Sequence, residues 1–319
     1  MSFVLTTALE RQAKSNLPAP LAAGTITALE HLREGCFQRS LCLIVSATSV
    51  ASGLEVAYEH YKGSYSNPVM YTPVVLSGTL ATAGMLGVFS RAAARAILRW
   101  VSVVTLADGI IGFGFHVRGV ARKPGGWRLP VTNIVMGPPI FAPLLFGTSA
   151  YLGLMASYLR REDDLHRITG RLESLIDSWK SDWRTNLRYG RFQKHLSALT
   201  VLWAFFSGFE ALYSHYKTKF RLKAQWTPVL LTPLLIAAGL GGIRSRRIAN
   251  TLLPAVSALA LADGAVGFYY HARGIARRPG GLKKPLYNML YGPPIFAPLL
   301  FAACGFLGLM ASLLSRERQ

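Results

Sequence analysis

The sequence predicts an all-α, polytopic integral membrane protein of about eight transmembrane helices, arranged as two parallel four-helix repeats. Three observations favour this fold class: an apolar composition, an internal duplication and a set of long apolar runs. The chain has 319 residues, of which 51% are hydrophobic and only 16% charged, and its mean hydropathy is +0.31. A soluble protein of this size carries more charged and fewer apolar residues.

The duplication is visible by eye. The stretch LADGIIGFGFHVRGVARKPGG, which begins at Leu106, returns as LADGAVGFYYHARGIARRPGG at Leu261, 155 residues later. GPPIFAPLLF recurs unchanged at Gly137 and Gly292 with the same offset. Such matches indicate a duplicated structural unit. The predicted divisions are an N-terminal, partly amphipathic segment (1–31), the first membrane repeat (32–162), an amphipathic surface helix (163–186) and the second membrane repeat (187–319).

Each repeat contains four apolar runs close to the roughly 20 helical residues that cross a hydrocarbon layer. Backbone groups in lipid must be satisfied within the segment, so helices are expected. The predicted spans lie near 40–62, 69–90, 96–117 and 132–159 in the first repeat, and near 195–217, 224–245, 250–272 and 287–314 in the second.

An even number of spans gives both repeats the same orientation, related by an axis along the membrane normal. Both termini then share one side of the membrane. Lys and Arg are more numerous on that side, which predicts cytoplasmic termini in an inner or plasma membrane. The first 20 residues lack the pattern of a removable signal peptide.

The basic residues are expected to contact lipid. The chain has 35 Lys and Arg against 15 Asp and Glu, a formal net charge of +20. Because these residues cluster between apolar runs, they indicate loops that contact anionic head groups, and not a nucleic-acid surface. The three cysteines are odd in number and do not recur between the repeats, so no disulfide framework or cysteine metal site is predicted.

Four ionisable residues recur within the apolar runs of each repeat, and such residues are costly in a membrane and usually functional. We predict the imidazoles as ligands of a cofactor or metal, and the acids as a proton relay or ion site. The histidines are His60, His116, His215 and His271, and the acids are Glu55, Asp108, Glu210 and Asp263. Alternatively, the acids form structural hydrogen bonds and the histidines are unliganded at the membrane surface.

Helix geometry restricts how these groups can combine. Glu55 and His60 are five residues apart, roughly 140° around a helix, so they do not chelate one ion. Asp108, Gly112 and His116 share one helix face, where the glycine allows another helix or a flat ligand to approach. The options are a histidine pair near the surface, acids meeting near the axis between the repeats, or a proton relay.

Two loop features complete the predicted site. Arginines that follow the third span of each repeat can contact a phosphate, a carboxylate or a haem propionate, or simply anchor head groups. These are Arg118, Arg122, Arg273 and Arg277. In the fourth span, Asn133 and Asn288 are predicted as helix caps, and the three prolines that follow each should kink or interrupt the helix.

The residues favour a metal- or haem-binding subunit in membrane electron transfer or oxidation, with haem b or a non-haem transition metal and a soluble or peripheral redox partner. The alternative is a proton-coupled transporter of a small solute, for which the basic loops favour an anion. A third hypothesis, an enzyme that uses general acid-base chemistry on a lipid-soluble substrate, has no specific motif. Whether the chain is an enzyme stays open.

Overall fold

The computed structural model describes residues 19–164 and 182–317, and within these ranges all regular structure is helical, with no β-strand. The predicted all-α class is confirmed. The helices are α1 (Ala19–Arg33), α2 (Gln38–Lys62), α3 (Thr72–Phe89), α4 (Arg91–Ala121), α5 (Pro130–Val135), α6 (Ala142–Tyr158), α7 (Trp183–Arg188), α8 (Gln193–Lys217), α9 (Thr227–Arg244), α10 (Arg246–Asn250), α11 (Leu252–Ala276), α12 (Pro285–Leu290) and α13 (Ala297–Leu313). Short 3-10 turns precede α3 and α9, and α4 contains a π-helical turn at Ala94–Leu98.

Seven of the described helical segments are long and apolar enough to cross a membrane. They are α2, α4, α8 and α11, α3 and α9 together with the 3-10 turns before them (Pro68–Phe89 and Lys223–Arg244), and α6 together with the residues that follow it (Ala142–Asp164). They indicate a multi-pass membrane protein in a lipid bilayer. The helix α13 is apolar but shorter, with 17 residues. Most of the predicted segments 1–31 and 163–186 lies in residues 1–18 and 165–181, outside the described residues.

The chain divides into two compact units, Gln38–Tyr158 and the remainder. In the first unit, which we call the first bundle, α3 and α6 each pack against both α2 and α4. The helices α2 and α4 therefore lie diagonally across the bundle. In the second unit α9 and α13 pack against both α8 and α11 in the same way, and we call these four helices the second bundle.

The fourth predicted span of each repeat is broken. The first stretch, predicted as one helix over 132–159, forms the short helix α5, then a non-helical segment at 136–141, then α6. Pro138 and Pro139 lie in that segment and have no N–H to continue a helix. The expected interruption is therefore present, but the predicted capping role of Asn133 is wrong, because Asn133 lies within α5.

Glu317 provides a remote cap for α8. Its carboxylate accepts hydrogen bonds from the backbone N–H groups of Lys194 and His195, both at 3.0 Å, and from Nδ1 of His195 at 2.9 Å. The residue before α8, Phe192, supplies no side-chain cap. A carboxylate at a helix N-terminus satisfies unpaired donors and favours the helix dipole. This contact ties the end of the chain to the start of α8.

We expect Glu317→Gln to destabilise the second unit by about 1–3 kcal/mol at pH 7, because charge-assisted hydrogen bonds are lost. Burial alone would raise the pKa of Glu317, but the hydrogen bonds from His195 and the two N–H groups outweigh it and lower that pKa. The contribution is thus complete above the unfolded pKa, roughly 4.3, and disappears as pH falls through the lower folded pKa. Thermal unfolding in detergent between pH 7 and pH 3 measures this, and an equal pH dependence in both proteins would contradict the assignment.

Candidate functional site

All four recurring histidines are held in the same way. In each, the ring Nδ1 lies within hydrogen-bond distance of a backbone carbonyl oxygen. The pairs are His60 with Met70 at 2.6 Å, His116 with Pro139 at 2.7 Å, His215 with Gln225 at 2.8 Å and His271 with Pro294 at 2.6 Å. A carbonyl can only accept, so Nδ1 carries the proton and donates it. Each neutral imidazole therefore presents the lone pair of Nε2.

This is the arrangement that tunes histidine as a ligand. A carbonyl that accepts from one ring nitrogen fixes the tautomer and the ring orientation, and it makes the other nitrogen a better ligand or base. The carbonyls of Pro139 and Pro294 are available because the broken fourth spans leave them outside a helix. The prolines interrupt the helix as predicted, and carbonyls in the interrupted segments serve as the acceptors for His116 and His271.

The tautomer is directly testable. We expect ¹⁵N-histidine NMR of the protein at a pH where the rings are neutral to show these four imidazoles protonated at Nδ1. His116→Gln and His271→Gln assign two of the signals. Signals with the proton on Nε2, the form common in unconstrained neutral histidine, would contradict the carbonyl contacts.

The diagonal helices bring the histidines of each bundle into one region. His60 lies in the last turn of α2, and His116 lies near the C-terminal end of α4. The two imidazoles are close enough to interact electrostatically. In the second bundle, His215 and His271 interact in the same manner. Each bundle therefore contains a histidine pair at one end, contributed by helices that do not pack directly on each other.

The acid Asp108 joins this region through the first residue of α3, directly after the 3-10 turn that contains Met70. Thr72 Oγ1 lies 2.7 Å from Asp108 Oδ1, and Met70, two residues earlier, accepts from His60. In the second bundle, Thr227 Oγ1 lies 2.5 Å from Asp263 Oδ1. Sequence reasoning missed both threonines, although they recur at the same offset, each followed by a proline.

No protein-family model, curated protein or solved structure matches this chain. The assignment of function therefore depends on the geometry of the recurring residues. Within residues 19–164 and 182–317, no group of three or more His, Cys, Asp and Glu side chains could hold a metal ion. A metal centre with only protein ligands thus lacks support in the described part of the chain.

The other predicted site residues lie at different places in each bundle. Glu55 and Glu210 are half-buried, two turns before the ends of α2 and α8, and Glu55 lies within electrostatic reach of Tyr58. The predicted anion contacts are exposed in or just after the last turns of α4 and α11. They are Arg118, Arg122, Arg273 and Arg277. They lie a few residues beyond His116 and His271 in the sequence.

The helix face that carries Asp108 and His116 is covered by protein at Gly112. A Cβ on Gly112 would lie 3.2 Å from Cβ of Pro143, the second residue of α6. The glycine predicted to admit either a helix or a flat ligand therefore admits a helix. Any flat ligand of His116 has to lie on another side of the imidazole.

A strained turn positions the first histidine of each bundle. After α2, Ser64 and Tyr65 adopt positive φ angles of 58° and 44°, and Lys219 and Phe220 do so after α8. Left-handed conformations cost roughly 1–2 kcal/mol in residues other than glycine. Strain of this kind clusters at functional sites.

The strained turns place aromatic rings against the histidines. The Tyr65 ring meets His60 edge-on, with centroids 6.1 Å apart, and stacks on Tyr71 at 4.2 Å. Phe220 contacts His215 and stacks on Trp226 in the second bundle. Sequence reasoning missed this stack, although an aromatic residue recurs at both positions with the 155-residue offset.

The buried asparagine of each fourth span holds the basic loop after α4 or α11 in place through hydrogen bonds. Asn133 Nδ2 donates to the carbonyl oxygens of Pro124 at 3.0 Å and Gly126 at 2.7 Å. Asn288 makes the same two contacts with Pro279 and Gly281. The Pro-Gly-Gly turn that follows α4 or α11 is thereby attached to the short helix before the break.

We expect Asn133→Ala to lower the stability of the first bundle by about 1–3 kcal/mol, because the buried Asn133 side chain no longer donates to the carbonyls of Pro124 and Gly126. Asn133→Asp keeps the size and replaces the donating amide with a carboxylate, which can only accept when ionised and also adds a negative charge. The midpoint of unfolding in a mild detergent measures both changes. An unchanged midpoint in both variants would show that the turn is held by other contacts.

Proposed function

We propose that the chain is a membrane subunit that binds haem b through the histidine pair of each bundle and serves electron transfer. The observation that carries the proposal is the shared restraint of the four imidazoles. Each donates from Nδ1 to a carbonyl and presents Nε2, and the two rings of a pair come from diagonal helices at one end of a bundle. The Nε2 atoms of the two histidines of a pair would hold the haem iron.

Each bundle brings only two histidines together, and this small number of protein ligands favours haem over a non-haem metal. Structural and catalytic zinc and non-haem iron sites take three or four protein ligands. A porphyrin supplies four nitrogens of its own, so two histidines suffice. The exposed arginines after α4 and α11 are suited to propionates, and the same basic loops offer a surface for an acidic redox partner.

We propose eight spans in two parallel repeats, with cytoplasmic termini and with the four divisions given above. Support comes from helix bounds that recur with the duplication: α2 spans Gln38–Lys62 and α8 spans Gln193–Lys217, and α6 and α13 both have 17 residues. Four spans per repeat leave both repeats in the same orientation. Single cysteines at exposed Arg122 and half-buried Arg91, in a cysteine-free background, test this: a membrane-impermeant reagent applied outside should label position 122 only.

A proton-coupled transporter is the second candidate function. The interrupted fourth span is typical of transporters, whose broken helices line substrate sites. The threonine contacts of Asp108 and Asp263 also suit groups that bind and release protons. Because the loops beside the histidines are basic, the expected cargo is a small anion.

The test is the visible spectrum of the purified protein, oxidised and dithionite-reduced, with metal analysis of the same sample. We expect a Soret band that sharpens on reduction and close to two haems per chain. His60→Ala and His116→Ala should each lose about half of the haem, and His195→Ala, outside the recurring set, should keep all of it. Stoichiometric metal without a Soret band would replace haem with a non-haem centre. A folded protein without colour or metal would exclude both kinds of metal centre and leave the transporter as the candidate function.

A further inference from the structure

The hydroxyl group of Thr72 has one hydrogen and two close acceptors. Its Oγ1 lies 2.9 Å from the carbonyl oxygen of Val69 and 2.7 Å from Oδ1 of Asp108. If the single hydrogen points to Asp108, the carbonyl contact brings two lone pairs together without a hydrogen. If it points to Val69, the carboxyl group must supply the second hydrogen.

The same arrangement occurs in the second bundle. Thr227 Oγ1 lies 2.8 Å from the carbonyl oxygen of Ala224 and 2.5 Å from Oδ1 of Asp263. Both contacts are at or below ordinary O–H···O distances. A neutral carboxylic acid satisfies all four contacts, because it donates to the threonine while the threonine donates to the carbonyl.

The surroundings of Asp108 oppose an ionised carboxylate. The residue lines an open groove of about 640 Å³ between α3 and α4, whose other walls are mainly apolar. The apolar wall residues are Val75, Leu76, Val103, Val104, Ala107 and Ile111. An uncompensated charge that faces hydrocarbon is costly even on the most lenient insertion scales.

The packed elements also provide little compensating charge. The helix α3 contains no Lys, Arg, His, Asp or Glu, and neither do α5 and α6. On α4 itself, Arg99 and Arg118 are nine and ten residues from Asp108, roughly 14–15 Å along the helix. The helix α4 also carries Arg91, Arg95 and His116, the last of which is eight residues from Asp108, roughly 12 Å along the helix.

The remaining titratable groups on the other elements are few. Tyr71 precedes α3, Tyr151 and Tyr158 lie on α6, and His60 is held at Met70, close to Thr72. Arg128 is in the loop that packs against the end of α4. In the second bundle, α9 has one charged residue, Arg244, at its far end, α13 has none, and His215 interacts electrostatically with Asp263.

We propose that Asp108 and Asp263 are proton-binding sites that hold a neutral carboxylic acid at pH 7, each donating to the hydroxyl of Thr72 or Thr227. The ligand is a proton and not a metal cation. Loss of the proton turns the threonine hydroxyl from the carbonyl of Val69 or Ala224 to the carboxylate. The segment that carries Thr72 also carries Met70, so this change occurs two residues from the acceptor of His60. The proposal does not depend on haem.

The test is infrared difference spectroscopy of the full chain in liposomes at pH 7. The spectrum of the wild type minus Asp108→Asn should show the C=O stretching band of a neutral acid, shifted in D₂O. Asp263→Asn should show a second band of equal area. Because an asparagine amide can also donate to the threonine, both variants should keep the unfolding midpoint of the wild type.

The threonines supply the matched controls. Thr72→Val removes the acceptor and should move the Asp108 band to the higher frequency of a free acid, whereas Thr72→Ser should leave it in place. Carboxylate bands in place of the neutral-acid band would overturn the proposal. Carboxylate bands that shift on addition of Na⁺ or Ca²⁺ would also overturn it, by identifying a cation site. If Thr72→Val leaves the frequency of the Asp108 band unchanged, the acid does not donate to the threonine, and the proposal is wrong on that contact.

Discussion

Gly109→Ala is expected to destabilise the first bundle strongly, by about 1–3 kcal/mol or more, because the added methyl group overpacks a closed interface. A Cβ at this position would lie 2.8 Å from the carbonyl oxygen of Pro143, which is backbone and cannot rotate away. The helices α4 and α6 would have to separate near Asp108 and His116. Gly264→Ala should be more damaging, since its Cβ would lie 2.6 Å from both Pro298 O and Ala302 N.

Gly114→Ala on the same helix is the matched control. No atom lies within 4 Å of a Cβ at that position. Alanine is the better helix former by up to about 1 kcal/mol, so this variant should be neutral or slightly stabilised. The two substitutions are chemically identical and should have opposite effects on the unfolding midpoint in detergent. A similar loss of stability in both would show that helix flexibility, and not the contact between α4 and α6, requires the glycines.

The positions of the long helices could be predicted from the sequence for a simple physical reason. Runs of apolar residues in a bilayer must form helices, so the predicted spans at 40–62 and 195–217 come within two residues of α2 and α8. The fourth span differs. Proline shows where a helix cannot continue, but it does not tell where the freed carbonyls point or how long the interruption is.

The sequence was enough to predict most of the residues of the candidate site, but not the atoms that those residues contact. A charged or imidazole side chain in an apolar run stands out, and its recurrence selects it from the other histidines. Thr72 does not stand out, because threonine is common where helices begin. The acceptors of His60 and His116 are backbone carbonyls of Met70 and Pro139, which any residue type provides. Only the path of the chain in three dimensions identifies them.

Gly137→Ala should disturb His116 without touching it. A Cβ on Gly137 would lie 2.3 Å from the carbonyl oxygen of Asn133, so the non-helical segment has to move. That segment carries Pro139, whose carbonyl accepts from His116 at 2.7 Å. Loss of this acceptor leaves His116 free to change tautomer and orientation, which weakens a ligand by roughly 10–100-fold. The ¹⁵N signal of His116 measures the first consequence, and the content of the haem that we propose for the first bundle measures the second.

Gly78→Ala is the control in the same bundle, because no atom lies within 4 Å of its added Cβ. It should leave both the His116 signal and the haem content unchanged. The two readouts separate structure from function: an altered tautomer with normal haem content would show that His116 is not an iron ligand, whatever its restraint. An unaltered tautomer in folded Gly137→Ala would show that the Pro139 carbonyl does not depend on the glycine. The fourth span would then position the histidine through Pro143 and the packing of α6 alone.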